Sequence, residues 1–129
     1  MRNLMKRGQQ FLHREQREHA SKVVIYERII NEASHRCQPA AVVGNTQFET
    51  LEEAANIWQK TESRDFLIIC SDLRIQGDQT EPRAGDRIHE RHGKTTIIYE
   101  VNAPGNARCF EYDKMHNRYR IHTKEMDSY

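Results

Sequence analysis

The heptapeptide TTIIYEV, residues 95–101, decides the fold class of this chain. Apolar and polar side chains alternate along it, which is the pattern of a strand with one buried face. The side predicted to face the core carries Ile97, Tyr99 and Val101, and the opposite side carries Thr96, Ile98 and Glu100. The stretch therefore predicts a β-strand with a defined inner face.

Further β-rich runs lie on both sides of this strand. RHGK (91–94) places Gly93 where a tight hairpin turn needs a positive φ, so DRIHE (86–90) is predicted to pair with 95–101. The other runs are VVIYER (23–28), AAVVGNTQFET (40–50), IWQK (57–60), RDFLIIC (64–70), ARCFEYD (107–113) and YRIHTKEM (119–126). Eight short runs predict a mainly β fold, a small β-barrel or sandwich of about six to eight strands.

The segments between the runs receive simple predictions. RIQGDQTEPRAG (74–85) is polar and rich in Gly and Pro, so it is predicted to be a long internal surface loop. NAPGNA (102–107) is predicted to connect a hairpin, and LEEAAN (51–56) to form a short helix or part of a hairpin tip. The predicted core consists of Val24, Phe48, Phe66, Ile68, Ile97, Tyr99 and Val101.

Residues 1–21 have a different pattern, which predicts one amphipathic N-terminal helix. Its short apolar stripe consists of Leu4, Met5, Gly8, Phe11 and Leu12. HREQREHAS (13–21) carries nothing to bury, so this half should project into solvent or onto another subunit. We expect a single domain over 1–129, with the helix at 1–21 and the barrel at 22–126.

The composition favours a small subunit that gains burial from a partner. Of the 129 residues, 36% are hydrophobic and 30% are charged, with a net charge of +1 that gives no global reason to expect nucleic acid or a membrane as partner. Residues 1–28 hold seven Lys or Arg against three Glu, so they are net +4 and the remainder is net −3. Three widely spaced cysteines indicate reduced thiols, and we expect neither a secretion signal nor a membrane span.

Motifs for catalysis and cofactor binding are weak. His89 and His92 in HERH are the tightest histidine pair, but they flank a turn without a nominated third ligand. Neither a GxSxG elbow nor a phosphate-binding glycine loop is present. Carboxylates are numerous, so a hydrolase with paired acids stays open as a third alternative. We expect no enzyme activity, no cofactor and no metal.

A nucleic-acid-binding, OB-like β-barrel is the main alternative. Six aromatic residues could present stacking faces to single strands, namely Trp58, Phe66, Tyr99, Phe110, Tyr112 and Tyr119. The predicted barrel is net negative, however, and basic residues are not concentrated beside these aromatics. This alternative therefore ranks second.

An ordered set of segments resembles a known family. SRDFLIICSDL, then EPRAGDRI, HGKTTIIYEVNAPG and the closing YRIHTKE are similar to the head-tail joining proteins of tailed phages, which include head-closure and tail-attachment proteins. The resemblance implies a ring subunit, commonly a hexamer, that sits below the portal and its adaptor, closes the channel after DNA packaging and docks the tail. It also implies a location in the virion neck after assembly in the host cytoplasm.

The resemblance assigns function to the helix and the long loop. On the helix we expect interface contacts from Lys6, Arg7, Phe11 and Arg14, and on the loop from Gln76, Asp78, Glu81 and Arg83. The expected partners are further copies of the chain, a portal or adaptor ring, a tail terminator or tail-tube protein, and packaged DNA. A membrane is not among them.

Overall fold

A single curled antiparallel sheet dominates the computed structural model, which describes residues 21–52, 55–104 and 107–126. The strands are β1 Lys22–Val23, β2 Ile25–Ile30, β3 Ala33–Cys37, β4 Ala40–Glu52, β5 Ile57–Ile69, β6 Arg74–Ile75, β7 Asp78–Gln79, β8 Arg87–His92, β9 Thr95–Val101, β10 Phe110–Tyr112 and β11 Arg118–Glu125. The helical content of these residues is one 3-10 turn, Cys70–Asp72. The mainly β prediction is confirmed, with more strands than the six to eight expected.

The main sheet runs in the order β1-β4-β5-β11-β9-β8-β2-β3, and β10 pairs with β11. The strands β1 and β2, which lie at or near opposite ends of this order, form almost one continuous strand that changes partner at Val24. Residues before Val24 pair with β4, whereas those after it pair with β8 and β3. The amide of Val24 donates to the carbonyl of Pro39 at 3.0 Å. This change of partner curls the sheet into a half-barrel around one core.

The core contains most of the residues that were predicted to form it. Val24, Phe66, Ile68, Tyr99 and Val101 are buried. Ile97 is half-buried and packs against them. Phe48 is the exception, because it lies half-buried on the opposite side of β4, where its ring meets that of His122 edge-on at 5.1 Å.

The predicted strands 57–60 and 64–70 are one strand, β5, of 13 residues. The intervening Thr61–Ser63 are polar, which interrupts the apolar pattern, but β5 pairs with β4 throughout, from Ala41↔Ile68 to Glu52↔Ile57. Ala55 and Asn56 form a turn in which Asn56 has a φ of 54°. Over the described residues, the hairpin-tip alternative for 51–56 is therefore the correct one.

Two other connections differ from the prediction. β9 and β10 lie end to end along the same edge of β11, with Val101 opposite Thr123 and Phe110 opposite Ile121. The prediction that 102–107 connects a hairpin is therefore wrong. β3 was not predicted, because ASHRC lacks an apolar run; it pairs with β2 through a two-residue turn at Asn31–Glu32.

The polar segment 74–85 is only partly a loop. Its first half is the β6–β7 hairpin, in which Gln76 and Gly77 have φ of 58° and 85°, as a tight two-residue turn requires. The predicted helix 1–21 lies, apart from Ser21, outside the described residues. Among the residues described, no helix has the length and apolarity to cross a bilayer.

Candidate docking surfaces

A buried ion pair anchors the polar loop to the half-barrel. The Arg28 guanidinium on β2 meets the Asp86 carboxylate just before β8, with Nη2 2.8 Å from Oδ2 and Nε 3.1 Å from Oδ1. Both side chains are only 6% exposed. Arg28 also donates to Thr80 Oγ1 at 2.9 Å and to the Glu81 carbonyl at 2.7 Å. Asp86 accepts the Arg83 amide at 3.1 Å, so residues 80–86 wrap around the pair.

Three tyrosines reinforce this anchor. The hydroxyl of Tyr26 donates to Asp86, and burial together with that carboxylate raises its pKa far above the ordinary value. Tyr119 donates to the Thr80 carbonyl at 3.0 Å. Tyr112 donates to Glu81 Oε2 at 2.7 Å, and this hydrogen bond raises the pKa of Tyr112 to about 12. The loop is therefore held by side chains from β2, β10 and β11.

All four residues predicted to form the loop interface are exposed: Gln76, Asp78, Glu81 and Arg83. The first two lie on the β6–β7 hairpin and the last two on the segment around the ion pair. Glu81 and Arg83 therefore lie on the anchored segment and Gln76 and Asp78 on the hairpin before it, and the contact of all four with a partner stays a prediction. The helix residues Lys6, Arg7, Phe11 and Arg14 lie outside the described residues.

A second buried cluster lies on the outer face of the sheet, around Asp65. Its carboxylate accepts Ser63 Oγ at 2.5 Å and Arg120 Nη1 at 2.6 Å, and lies 3.0 Å from His122 Nδ1. Burial alone would raise the pKa of Asp65, but hydrogen bonds, led by those of His122 and Ser63, lower it to about 2. Burial acts to lower the pKa of His122, yet the Asp65 carboxylate outweighs it and raises that pKa.

This cluster contains Ser, His and Asp but does not have the geometry of a catalytic triad. A triad places serine and aspartate at opposite ring nitrogens of the histidine. Here Ser63 Oγ lies 3.5 Å from Nδ1 of His122, the same nitrogen that faces Asp65, and Ser63 is buried. The arrangement provides hydrogen-bond donors to the buried carboxylate of Asp65. The sequence signal for it is a charged residue inside the apolar run RDFLIIC.

The two histidines of HERH each lie beside a glutamate carboxylate. His89 Nε2 lies 2.9 Å from Glu27, whereas His92 Nε2 lies 3.3 Å from Glu90. Glu90 is buried and also accepts a hydrogen bond from Arg64 Nε at 2.9 Å. Within the described ranges, no three His, Cys, Asp or Glu side chains come together as metal ligands.

The aromatic residues proposed for base stacking are mostly buried in the core of the half-barrel. Phe66, Tyr99, Phe110 and Tyr119 are buried and cannot offer a face to a base. Of the six, Trp58 and Tyr112 are the exposed ones, and they stand on different strands. A stacking platform built from these residues therefore lacks most of its members.

The chain matches the model of a known protein family. The model of the family described as phage head-tail joining protein matches residues 2–129. No curated protein and no solved structure matches the chain. The match spans nearly the whole chain, including all the strands described above.

Proposed function

The chain belongs to the phage head-tail joining protein family, and from this membership we propose that it forms a ring in the neck of a tailed bacteriophage. A head-tail joining protein is a component of the virion and interacts with head and tail components. In our proposal the ring closes the portal channel and joins the DNA-filled head to the tail. The observation that carries the proposal is the family match over residues 2–129.

The anchored loop supports a docking role. A loop that is ordered before it binds loses less conformational entropy on association than a free one. Residues 80–86 are already held by the Arg28–Asp86 pair and by Tyr119, while Glu81 and Arg83 are exposed. We propose that this segment meets the tail, the next ring or the DNA in the channel.

The charge distribution supports self-association. Lys22 and Arg28 are paired within their own chain, but residues 1–21 alone hold five Lys or Arg against two Glu, so this net charge of +3 can attract the acidic remainder of an adjacent subunit. We propose a homo-oligomeric ring, with six subunits as the working stoichiometry. Its neighbours would be a portal or adaptor ring above and a tail terminator or tail-tube protein below, with assembly in the host cytoplasm.

Electron microscopy of lysates tests the function directly. A phage or prophage that lacks this gene should yield DNA-filled or leaking heads beside complete, unattached tails. The wild-type gene supplied in trans should restore joined particles. The double variant Asp78→Ala, Arg83→Ala should restore fewer joined particles than Lys94→Ala, a control that changes an exposed charge on the β8–β9 turn.

Two results would contradict the proposal. Normal infectious particles without the gene would remove the joining role. Tight binding to single strands with a steep salt dependence would instead favour the nucleic-acid-binding barrel. Loop variants that restore particles as well as the control would leave the joining role but remove the loop from it.

A further inference from the structure

The hairpin of β4 and β5 extends beyond the rest of the sheet as an arm, which we define as residues 46–52 and 57–63. β5 pairs with β11 only at Arg64–Ile69, and β4 pairs with β1 only at Ala40 and Ala41. Within the described part of the chain, the arm strands therefore pair only with each other. Seven residues of antiparallel strand span roughly 24 Å. A two-stranded ribbon is marginally stable in water, so the outer part of the arm calls for a partner.

The tip of the arm exposes two large apolar side chains. Ile57 is 55% exposed and Trp58 is 63% exposed. Because they are consecutive in a strand, they point to opposite faces of the ribbon. The base of the arm, in contrast, is held on the barrel by Phe48 against His122. A tryptophan exposed at the end of a projecting ribbon is typical of a residue that binds in a pocket on a partner.

An apolar groove lies at the other end of the same two strands, on the outer face of the sheet. Val42 on β4 pairs directly with Leu67 on β5, and Ile69 and Met115 extend the apolar part of the lining, whereas Ser21, Asp113, Asn117 and Arg118 contribute polar groups. The groove has a volume of about 720 Å³. Ile69 and Met115 are 42% and 79% exposed, so the groove is open to an incoming side chain.

We propose that the arm tip of one subunit, through Trp58, docks in the groove formed by Val42, Leu67, Ile69 and Met115 of a second copy of this chain. The inference rests on the proposed function, because it names the contact that builds the ring. The tip cannot fill its own groove, since ten residues of paired strand from Ile57 to Leu67 separate them by roughly 34 Å.

The position of the two surfaces fits a head-to-tail contact. A tip at one end of β4–β5 and a groove at the other end form a heterologous pair, which repeats from subunit to subunit and closes into a ring when the rotation allows. The charges beside them are also compatible. Lys60 lies two residues from Trp58 on β5 and Asp113 lines the groove, so these opposite charges can face each other.

Association of the purified full-length chain tests the proposal. Trp58→Ala removes the large side chain of the tip, and Ile69→Asp places a charge in the groove. The control is Ile29→Asp, which makes the same change as Ile69→Asp at a residue that is 51% exposed on β2. Sedimentation velocity should show wild-type and control rings. Each of the other two variants should associate roughly 30-fold more weakly or worse, as for a central interface residue. Circular dichroism verifies that all variants are folded.

Mixing the two defective variants shows whether the tip and the groove bind each other. The intact tip of Ile69→Asp should enter the intact groove of Trp58→Ala, so the mixture should form a dimer that cannot extend to a ring. A mixture that stays monomeric overturns the proposal, as do variants that assemble like wild type or a wild-type chain that never associates.

A further variant tests the other candidate occupant of the groove. Ser21 lies at the groove, so the segment before it could reach the same surface. If deletion of residues 1–20 weakens association as Ile69→Asp does while Trp58→Ala has no effect, that segment is the occupant and our proposal is wrong. In all these cases the lysate experiment decides the joining role independently.

Discussion

The substitution Asp86→Asn tests whether the loop is anchored by a buried ion pair. Asparagine keeps the shape of the side chain but removes the charge that faces Arg28 at 2.8 Å. Both partners are 6% exposed, so water cannot replace the lost carboxylate. Removing one partner of a buried pair costs about 3–5 kcal/mol, because the other charge is left uncompensated. We expect the free energy of unfolding to fall by about that amount.

Urea unfolding of the purified protein measures the effect. With a slope of about 2 kcal/mol per molar urea, the transition midpoint should fall by roughly 2 M. The matched control is Asp72→Asn on the exposed 3-10 turn, which should change stability by less than about 0.5 kcal/mol. Hydrogen exchange should show a faster Arg83 amide in Asp86→Asn, since that amide donates to Asp86 Oδ2.

A double-mutant cycle distinguishes charge imbalance from loss of packing. Arg28→Met combined with Asp86→Asn removes both charges, so the double variant should be less destabilised than the sum of the two single variants by at least about 1 kcal/mol. If Asp86→Asn unfolds the chain outright, recovery of a folded state by the double variant carries the same information. A loss below about 1 kcal/mol for Asp86→Asn, or strict additivity, would refute the anchor.

Three further predictions concern the core, the outer cluster and a turn. Phe66→Ala should cost about 3–5 kcal/mol in urea unfolding because Phe66 is fully buried, whereas Trp58→Ala should leave the stability of the monomer within about 1 kcal/mol. The pKa of Asp65 is lowered to about 2, so the stability that its carboxylate gives the fold should be lost as the pH falls from 4 to 2. The pKa of His122 is raised, so the stability that its protonated ring gives the fold should be lost as the pH rises above 6.5. Asp65→Asn should flatten both limbs of the pH–stability curve, and an unchanged curve would contradict the coupling. Gly93→Ala should cost about 1 kcal/mol from its φ of 62° alone, since a Cβ there meets no atom within 4 Å; thermal unfolding measures it, and no change would mean that the turn relaxes.

Much of the fold could be predicted because it depends on local patterns. The alternation in TTIIYEV assigned the inner face of β9, and Gly93 located the β8–β9 turn. β3 and the middle of β5 have too few apolar residues to show that pattern, and they form because neighbouring strands supply their hydrogen bonds. Patterns of side chains detect strands that bury a face, and they miss strands whose pairing is mainly through the backbone.

The candidate docking surfaces also differ in how far the sequence predicted them. The exposed loop residues, including Glu81 and Arg83, were predictable from a polar stretch rich in glycine and proline. The groove was not, because Val42, Leu67 and Met115 are 25 or more residues apart and meet only when β4 pairs with β5 and the 113–118 turn packs beside them.

The sequence by itself determined the β class, the inner face of β9 and the family, all of which reside in short ordered segments of the chain. Only the tertiary structure decided which charged residues are buried as pairs. Arg28 and Asp86 are 58 residues apart along the chain, and Asp65 and His122 are 57 apart. Each charge tolerates burial only beside its partner, and strand order, which no local pattern encodes, brings the partners together.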